Sequence, residues 1–336
     1  MPSVRFTERD HARSGQPKPR GGIFGFTLTQ SLPSMRLALA ASAFAAALAV
    51  GFAAGRVQPA LATAPVDDHA GHDMSTMPAM AGFQQPTAIP ASASTAVDRV
   101  AKSPRHAEWV SIKVNETDSA MAWVVYPERK DKAPVVVVIH ENTGINTWTR
   151  SVADQLAADG FIGIAPDLTT MKRTGDLTKD PTQAEGSAAI RLITPEMGNT
   201  IIDAVAKYGM SLPAALPKYG IVGFCWGGGR SFLHATHAPG LGASVVYYGS
   251  PPNAEQMAAI KAPVLGLYGG NDARINATIP ATDSTMKRLG KPYEYHIFDG
   301  AGHGFLRGQD ANPANLTAAQ QAWPKTVTFL RDKLGT

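Results

Sequence analysis

Three residues of this 336-residue chain have the types and spacing for nucleophilic catalysis: Cys225, Asp272 and His303. Cys225 is the only cysteine and lies in Ile221-Val222-Gly223-Phe224-Cys225-Trp226-Gly227-Gly228-Gly229. A short apolar run leads straight into Gly-x-Cys-x-Gly-Gly, the pattern of a sharp strand-to-helix turn with the thiol at its apex. Such a turn strains the backbone at the nucleophile and crowds the residues two places either side, so Gly223 and Gly227 are expected to leave room. The start of a helix favours a thiolate and offers N–H groups to a developing oxyanion. The alternative for a lone cysteine is a buried structural thiol. A thiol nucleophile needs a base, and the base an orienting acid. Downstream, Leu267-Tyr268-Gly269-Gly270-Asn271-Asp272 places an acid just past a buried strand, and Asp299-Gly300-Ala301-Gly302-His303-Gly304-Phe305 places a histidine in a glycine-rich loop past the last strand. Asp272 would fix the imidazole tautomer, and His303 would take the thiol proton and pass it to the leaving group. Weaker candidates are Asp283, within a predicted helix; Asp299, in the same loop as His303; His296, within a strand; and His234 and His237, on the helix after Cys225.

The elements that must hold these residues are legible from periodicity. Residues 109–114 and 121–126 alternate like hairpin strands. Residues 134–140 form a continuous β-branched run, as in a strand buried on both faces. Strands are predicted again at 161–165, 219–224, 243–248, 264–268 and 293–298, and helices at 147–159, 195–210 and 316–334. This alternation predicts a doubly wound, mostly parallel α/β sheet with catalytic loops at the strand C-termini. No internal repeat is present.

Net charge excludes little. Of 31 Lys/Arg and 27 Asp/Glu, residues 1–36 hold six and two, which leaves 25 of each in the remainder. The basic excess therefore lies in the leader, and nucleic acid is not an expected partner. Residues 37–54 are an uncharged, Ala-rich apolar run between Arg36 and Arg56, expected to be a cleaved export signal or an N-terminal membrane anchor. Met35 is an alternative start to Met1. The chain divides into a leader (1–64), a flexible linker (65–105) and one α/β domain (106–336), expected to be exported to the periplasm, or anchored facing it, and monomeric. The linker carries His69, His72, Met74, Met77 and Met80, imidazole and thioether ligands suited to copper, although a polar tether explains the same composition.

Residues from about 108 to 334 resemble the dienelactone hydrolase family, a cysteine branch of the α/β-hydrolases. The resemblance rests on His140-Glu141, Ala165-Pro166-Asp167-Leu168, Gly-Phe-Cys-Trp-Gly-Gly and Gly-His-Gly-Phe, with Tyr247-Tyr248-Gly249 as a softer fifth motif. It implies an α/β-hydrolase fold and a Cys225–His303–Asp272 triad that cleaves a carboxylic ester or lactone through a thioester, with no metal or organic cofactor. It further implies that Glu141 partners and helps activate the thiol, that the backbone N–H groups of Trp226 and Asn142 form the oxyanion hole, and that Arg307 binds a substrate carboxylate. The family's second arginine, after the Pro-Asp-Leu motif, is missing: the stretch reads Thr169-Thr170-Met171-Lys172-Arg173, where Lys172 or Arg173 would substitute only if the loop shifts. The competing expectations are a copper-binding or non-catalytic module on a hydrolase fold, and hydrolysis of another acyl bond such as a small amide.

Overall fold

A computed structural model describes residues 79–80 and 82–335. The apolar run 37–54 and His69, His72, Met74 and Met77 lie outside the described residues. Eight strands form one sheet: β1 (Ala107–Lys113), β2 (Ser119–Val125), β3 (Ala133–Ile139), β4 (Ile162–Pro166), β5 (Ala215–Phe224), β6 (Ala243–Tyr247), β7 (Val264–Gly269) and β8 (Tyr293–Phe298). Their spatial order is β1-β2-β4-β3-β5-β6-β7-β8. The β1–β2 and β2–β4 pairs are antiparallel, and every pair from β4–β3 onward is parallel. The β-branched run of β3 is buried at every position, as a central strand covered on both faces requires. On β2, by contrast, burial alternates through its first six residues.

Helices flank the sheet: α1 (Ala96–Ala101), α2 (Thr147–Ala158), α3 (Gln183–Ile190), α4 (Pro195–Ser211), α5 (Trp226–His237), α6 (Ala254–Met257), α7 (Ala273–Asn276), α8 (Ile279–Arg288) and α9 (Pro313–Leu334). Their starts follow local chemistry. The Asn146 side chain accepts the Thr149 N–H at the head of α2. Thr182 and Glu185 close a reciprocal capping box on α3, and Thr194 caps α4 ahead of Pro195. The chain runs from β3 to β4 on one side and then crosses to β5 on the other. The C-terminal ends of β3 and β5 therefore diverge at the switch point where open α/β sheets bind ligands.

One expectation is corrected. A flexible linker was expected through residue 105, but residues 82–105 pack on the domain. Ile89, Ala91 and Ser92 are buried, Ala96–Ala101 is helical, and Arg105 makes a two-point ion pair with Asp154 at 2.7 and 2.9 Å. The composition is rich in Pro, Ser and Ala, yet small side chains fit a groove as readily as they populate a tether. Among the described residues no helix is long and apolar enough to cross a membrane, and no group of three or more His, Cys, Asp or Glu side chains could hold a metal ion.

Candidate active site

Cys225 sits between β5 and α5 with φ 55° and ψ −117°. This left-handed backbone is unfavourable for a residue with a Cβ and persists only where the surroundings enforce it. Backbone bonds on both sides do so: Cys225 N–H donates to the Tyr247 carbonyl at 3.0 Å, and its own carbonyl accepts from Gly229 N–H at 3.1 Å. The flanking glycines have the expected steric role. A Cβ on Gly223 would lie 1.9 Å from the Gly227 carbonyl oxygen, and one on Gly227 would lie 2.3 Å from that of His140. The second clash shows that Gly227 makes room for the end of β3 as well as for the turn.

Asp272 caps α7, accepting the Ile275 N–H at 3.3 Å with Oδ1. Its Oδ2 accepts the His303 Nδ1–H at 2.5 Å. The carboxylate is thus held from two sides, and the imidazole is oriented with Nδ1–H toward it. Burial pushes the Asp272 carboxyl up, but the bond and charge of His303, the Ile275 N–H and Arg274 outweigh it, so the net shift is downward. The competing acids and imidazoles are explained otherwise. Asp283 pairs with Lys287 on α8 at 2.7 Å, and Asp299 is exposed. His296 is on β8, His234 is buried against the Tyr219 hydroxyl at 3.1 Å, and His237 pairs with Asp203 at 2.8 Å.

Glu141 follows β3 and is buried. Its Oε2 lies 3.5 Å from Arg307 Nη1. Burial drives its carboxyl above the ordinary range, while Arg307, His303 and Tyr248 pull it back. The Tyr248 hydroxyl faces this carboxylate, and Arg307 Nε is a buried donor with no hydrogen-bond partner among the described residues. Tyr248 itself has φ 40°, and its ring centroid is 5.0 Å from that of His303. Sequence reasoning assigned no role to Tyr248. The signals were its membership of the Tyr247-Tyr248-Gly249 motif and its place directly after β6; a Cβ on the following Gly249 would lie 2.3 Å from the Gly228 carbonyl carbon.

The thiol differs from expectation. A helix N-terminus was expected to favour thiolate, but burial, followed by the Glu141 carboxylate, pushes the Cys225 thiol far up. The Trp226 N–H on the sulfur and the Arg274 charge oppose this without prevailing.

The candidate oxyanion loop is braced from outside. Asn142 follows Glu141, and its carbonyl accepts from Ser187 Oγ of α3 at 3.4 Å. Gly186 lies so close to Thr143 that a Cβ there would fall 1.7 Å from the Thr143 carbonyl oxygen. His140, buried and kept neutral chiefly by desolvation, donates through Nδ1 to the Glu141 carbonyl at 2.8 Å and accepts the Leu168 N–H on Nε2 at 3.2 Å. Its ring stacks on Trp226 at 5.6 Å. The His-Glu and Pro-Asp-Leu motifs are thereby stapled to each other and to the start of α5. Arg173 is committed to this scaffold, with Nη1 2.5 Å from Asp167 Oδ2 and Nη2 donating to the Lys179 carbonyl at 2.8 Å. It is no substitute for a second substrate arginine, and Lys172 is exposed on a short 3₁₀ turn. Met80, the one described member of the candidate copper set, donates its backbone N–H to the Asp310 carbonyl at 2.6 Å.

Residues 121–334 match the family model described as the dienelactone hydrolase family. A Saccharolobus solfataricus protein bearing the name carboxymethylenebutenolidase is 30% identical over 244 residues, 62% of this chain and 93% of that protein. A Bradyrhizobium protein bearing the name 2-oxo-3-(5-oxofuran-2-ylidene)propanoate lactonase is 30% identical over 241 residues, covering 67% and 93%. Among solved structures, a Klebsiella pneumoniae protein bearing the name dienelactone hydrolase superposes with TM-score 0.59 at 24% identity, over 67% of this chain and 98% of that one. A dienelactone hydrolase-like promiscuous phosphotriesterase from metagenomic libraries superposes with TM-score 0.57 at 22% identity, covering 69% and 99%. These likenesses agree with the sheet order in giving an α/β-hydrolase fold, and the chain belongs to the dienelactone hydrolase family of hydrolases.

Proposed function

We propose that this hydrolase cleaves a carboxylic ester or lactone through a thioester on Cys225. The observation that carries the reading is the Asp272–His303 hydrogen bond of 2.5 Å, in a chain whose lone cysteine occupies a strained strand-to-helix turn. The Cys225 proton passes to His303 Nε2 as sulfur attacks the carbonyl carbon. The oxyanion is held by the N–H groups of Trp226 and Asn142; one such donor is worth roughly 100- to 1000-fold in rate. The imidazolium then protonates the departing oxygen, releasing an alcohol or, from a lactone, a tethered enol or hydroxyl. Water attacks the thioester with His303 as base, and the expelled sulfur recovers its proton.

Burial makes the resting thiol a poor nucleophile, so activation has to come with substrate. One arginine stands beside one carboxylate at Glu141–Arg307. A substrate carboxylate that engages the Arg307 guanidinium competes with Glu141 for it. Glu141, already inclined to take up a proton, becomes a second acceptor for the thiol proton. This favours an anionic ester or lactone, in keeping with the names of the relatives. It also keeps the thiol inert between turnovers, which suits an exported protein in an oxidising compartment. Export is part of the proposal and rests on the apolar run 37–54; loss of the periplasmic pool when that run is deleted tests it.

The deciding experiment is turnover of short-chain p-nitrophenyl esters and a simple enol lactone by the full chain, beside Cys225→Ala, with intact-mass detection of an acyl adduct. Activity and adduct in wild type, both lost in Cys225→Ala, support the reading. Undiminished turnover in Cys225→Ala rejects it.

A further inference from the structure

Residues 82–105 precede the stretch that matches the family model, yet they touch both loops that meet at the site. On one side they hold the loop that carries His303 and Arg307. Ala93 N–H donates to the Arg307 carbonyl at 2.8 Å. The buried Gln309 donates through Nε2 to the carbonyls of Pro90 at 2.9 Å and Leu306 at 3.0 Å, and Ser94 Oγ donates to the Asp310 carboxylate. On the other side they hold α2, which follows the Glu141–Asn142 loop. Trp148 Nε1–H donates to the Ala91 carbonyl at 2.9 Å, Arg99 to Gln155 Oε1 at 2.8 Å, and Ser103 to Asp154. The Trp148 ring meets Phe224, the residue before Cys225, edge-on at 5.0 Å. Gln85 ties the segment to itself, accepting from Ser92 N–H at 2.8 Å and Thr95 Oγ1 at 2.7 Å.

The loop from β8 to α9 contains no regular secondary structure; apart from turn bonds such as Gly308 N–H to the Gly304 carbonyl at 2.9 Å and Ala311 N–H to the Gly308 carbonyl at 3.1 Å, its backbone groups need partners from elsewhere. Asn315 supplies two, accepting from Gly302 N–H and donating to the Gly308 carbonyl, each at 2.9 Å. The remaining bonds described for the stretch 307–310 come largely from the N-terminal segment, and the bond at Ala93 falls on Arg307 itself. An arginine that must pair with Glu141 at rest and with a ligand in turnover needs a fixed Cα; its mobile side chain can then do the switching.

We infer that residues 82–105 form a positioning strap that fixes Arg307 against α2 and so sets the affinity for anionic substrates. The inference deepens the proposed function and rests on it for its kinetic readout. The strap does not touch the substrate. It acts through Arg307, so its loss changes KM for a charged substrate more than it changes the chemistry on sulfur.

The test uses the full chain and two matched esters, one neutral and one with a carboxylate in the acyl part. Ala93→Pro deletes the N–H donated to Arg307. Gln85→Leu removes both acceptor bonds within the strap and the Nε2 bonds to the Pro86 and Pro90 carbonyls at 3.1 and 3.0 Å; Gln85→Glu restores the acceptor bonds alone. The expected result is a KM for the anionic ester raised about tenfold in Ala93→Pro and Gln85→Leu, the scale of one lost hydrogen bond, with a smaller rise in Gln85→Glu, which keeps the acceptor bonds and loses the donor ones. The neutral ester should change less than about twofold. Amide hydrogen exchange should quicken across 304–310 and stay unchanged in β5–β7. Equal losses on both esters, or unaltered exchange at 304–310, overturn the strap. If wild type hydrolyses neither ester, the hydrolase reading fails, and the exchange measurement still decides the strap.

Discussion

Replacing Arg307 by Gln should widen the pH range over which stability falls through Glu141. The pair is 3.5 Å apart, with side chains 13% and 9% exposed, so solvent screens it little. At an effective dielectric constant of 20, two unit charges at that distance attract by about 5 kcal/mol. Breaking one side of a buried pair generally destabilises by about 3–5 kcal/mol, because the remaining charge stays desolvated. Glu141 has a way out, which is to bind a proton. Burial already holds its carboxyl above the ordinary value, and Arg307 is the foremost group pulling it back, so the variant's carboxyl moves further up. For an acid raised in the folded state, the native protein keeps a proton that the unfolded chain releases. Stability is then unaffected below the unfolded value near 4.3 and is lost as pH rises toward the folded one, by at most about 1.4 kcal/mol per pH unit. Urea denaturation of wild type, Arg307→Gln and Glu141→Gln/Arg307→Gln at pH 5 and pH 8 measures this. The single variant should be weakened by about 3 kcal/mol or more at pH 8 and by much less at pH 5. The double variant should regain most of the loss at pH 8. An equal destabilisation at both pH values, or a double variant no better than the single, would refute the argument that Arg307 neutralises a buried charge.

Two further outcomes follow from the site's construction. Asp272→Asn keeps the shape but cannot accept the Nδ1–H in the same tautomer, so kcat on a p-nitrophenyl ester should fall by roughly 10³–10⁴ with KM little changed; a fall under tenfold would remove Asp272 from the proposed triad. Gly186→Ala forces a Cβ to within 1.7 Å of the Thr143 carbonyl oxygen, backbone against backbone, so α3 and the Asn142 loop must separate. Thermal melts should show a loss of about 1–3 kcal/mol together with a lowered kcat, and unchanged kinetics would show that α3 does not brace the oxyanion loop.

The strand and helix pattern was readable because burial imposes a period on composition. The run 134–140 could be only a strand covered on both faces, and the glycines around Cys225 marked a turn that few other residues tolerate. The candidate triad was readable because strand ends order its members along the chain, and the structure brings Asp272 and His303 together as that order required. Three features were not legible, each for a reason that lies in three dimensions. The protonation state of Cys225 depends on how deeply the sulfur is buried and on which carboxylate faces it, while the sequence shows only that a helix starts there. That Arg173 is committed to Asp167 was not legible, because the tight turn that aims it there leaves no mark in residue types. Residues 82–105 read as a tether because Pro, Ser and Ala carry no periodicity, and their order comes from carbonyls and amides matched to Gln309, Arg307 and Trp148 far along the chain. Side-chain type and spacing determined which groups are present for chemistry. Desolvation and backbone partners, which exist only once distant segments meet, decided the charge state those groups hold and what keeps them in place.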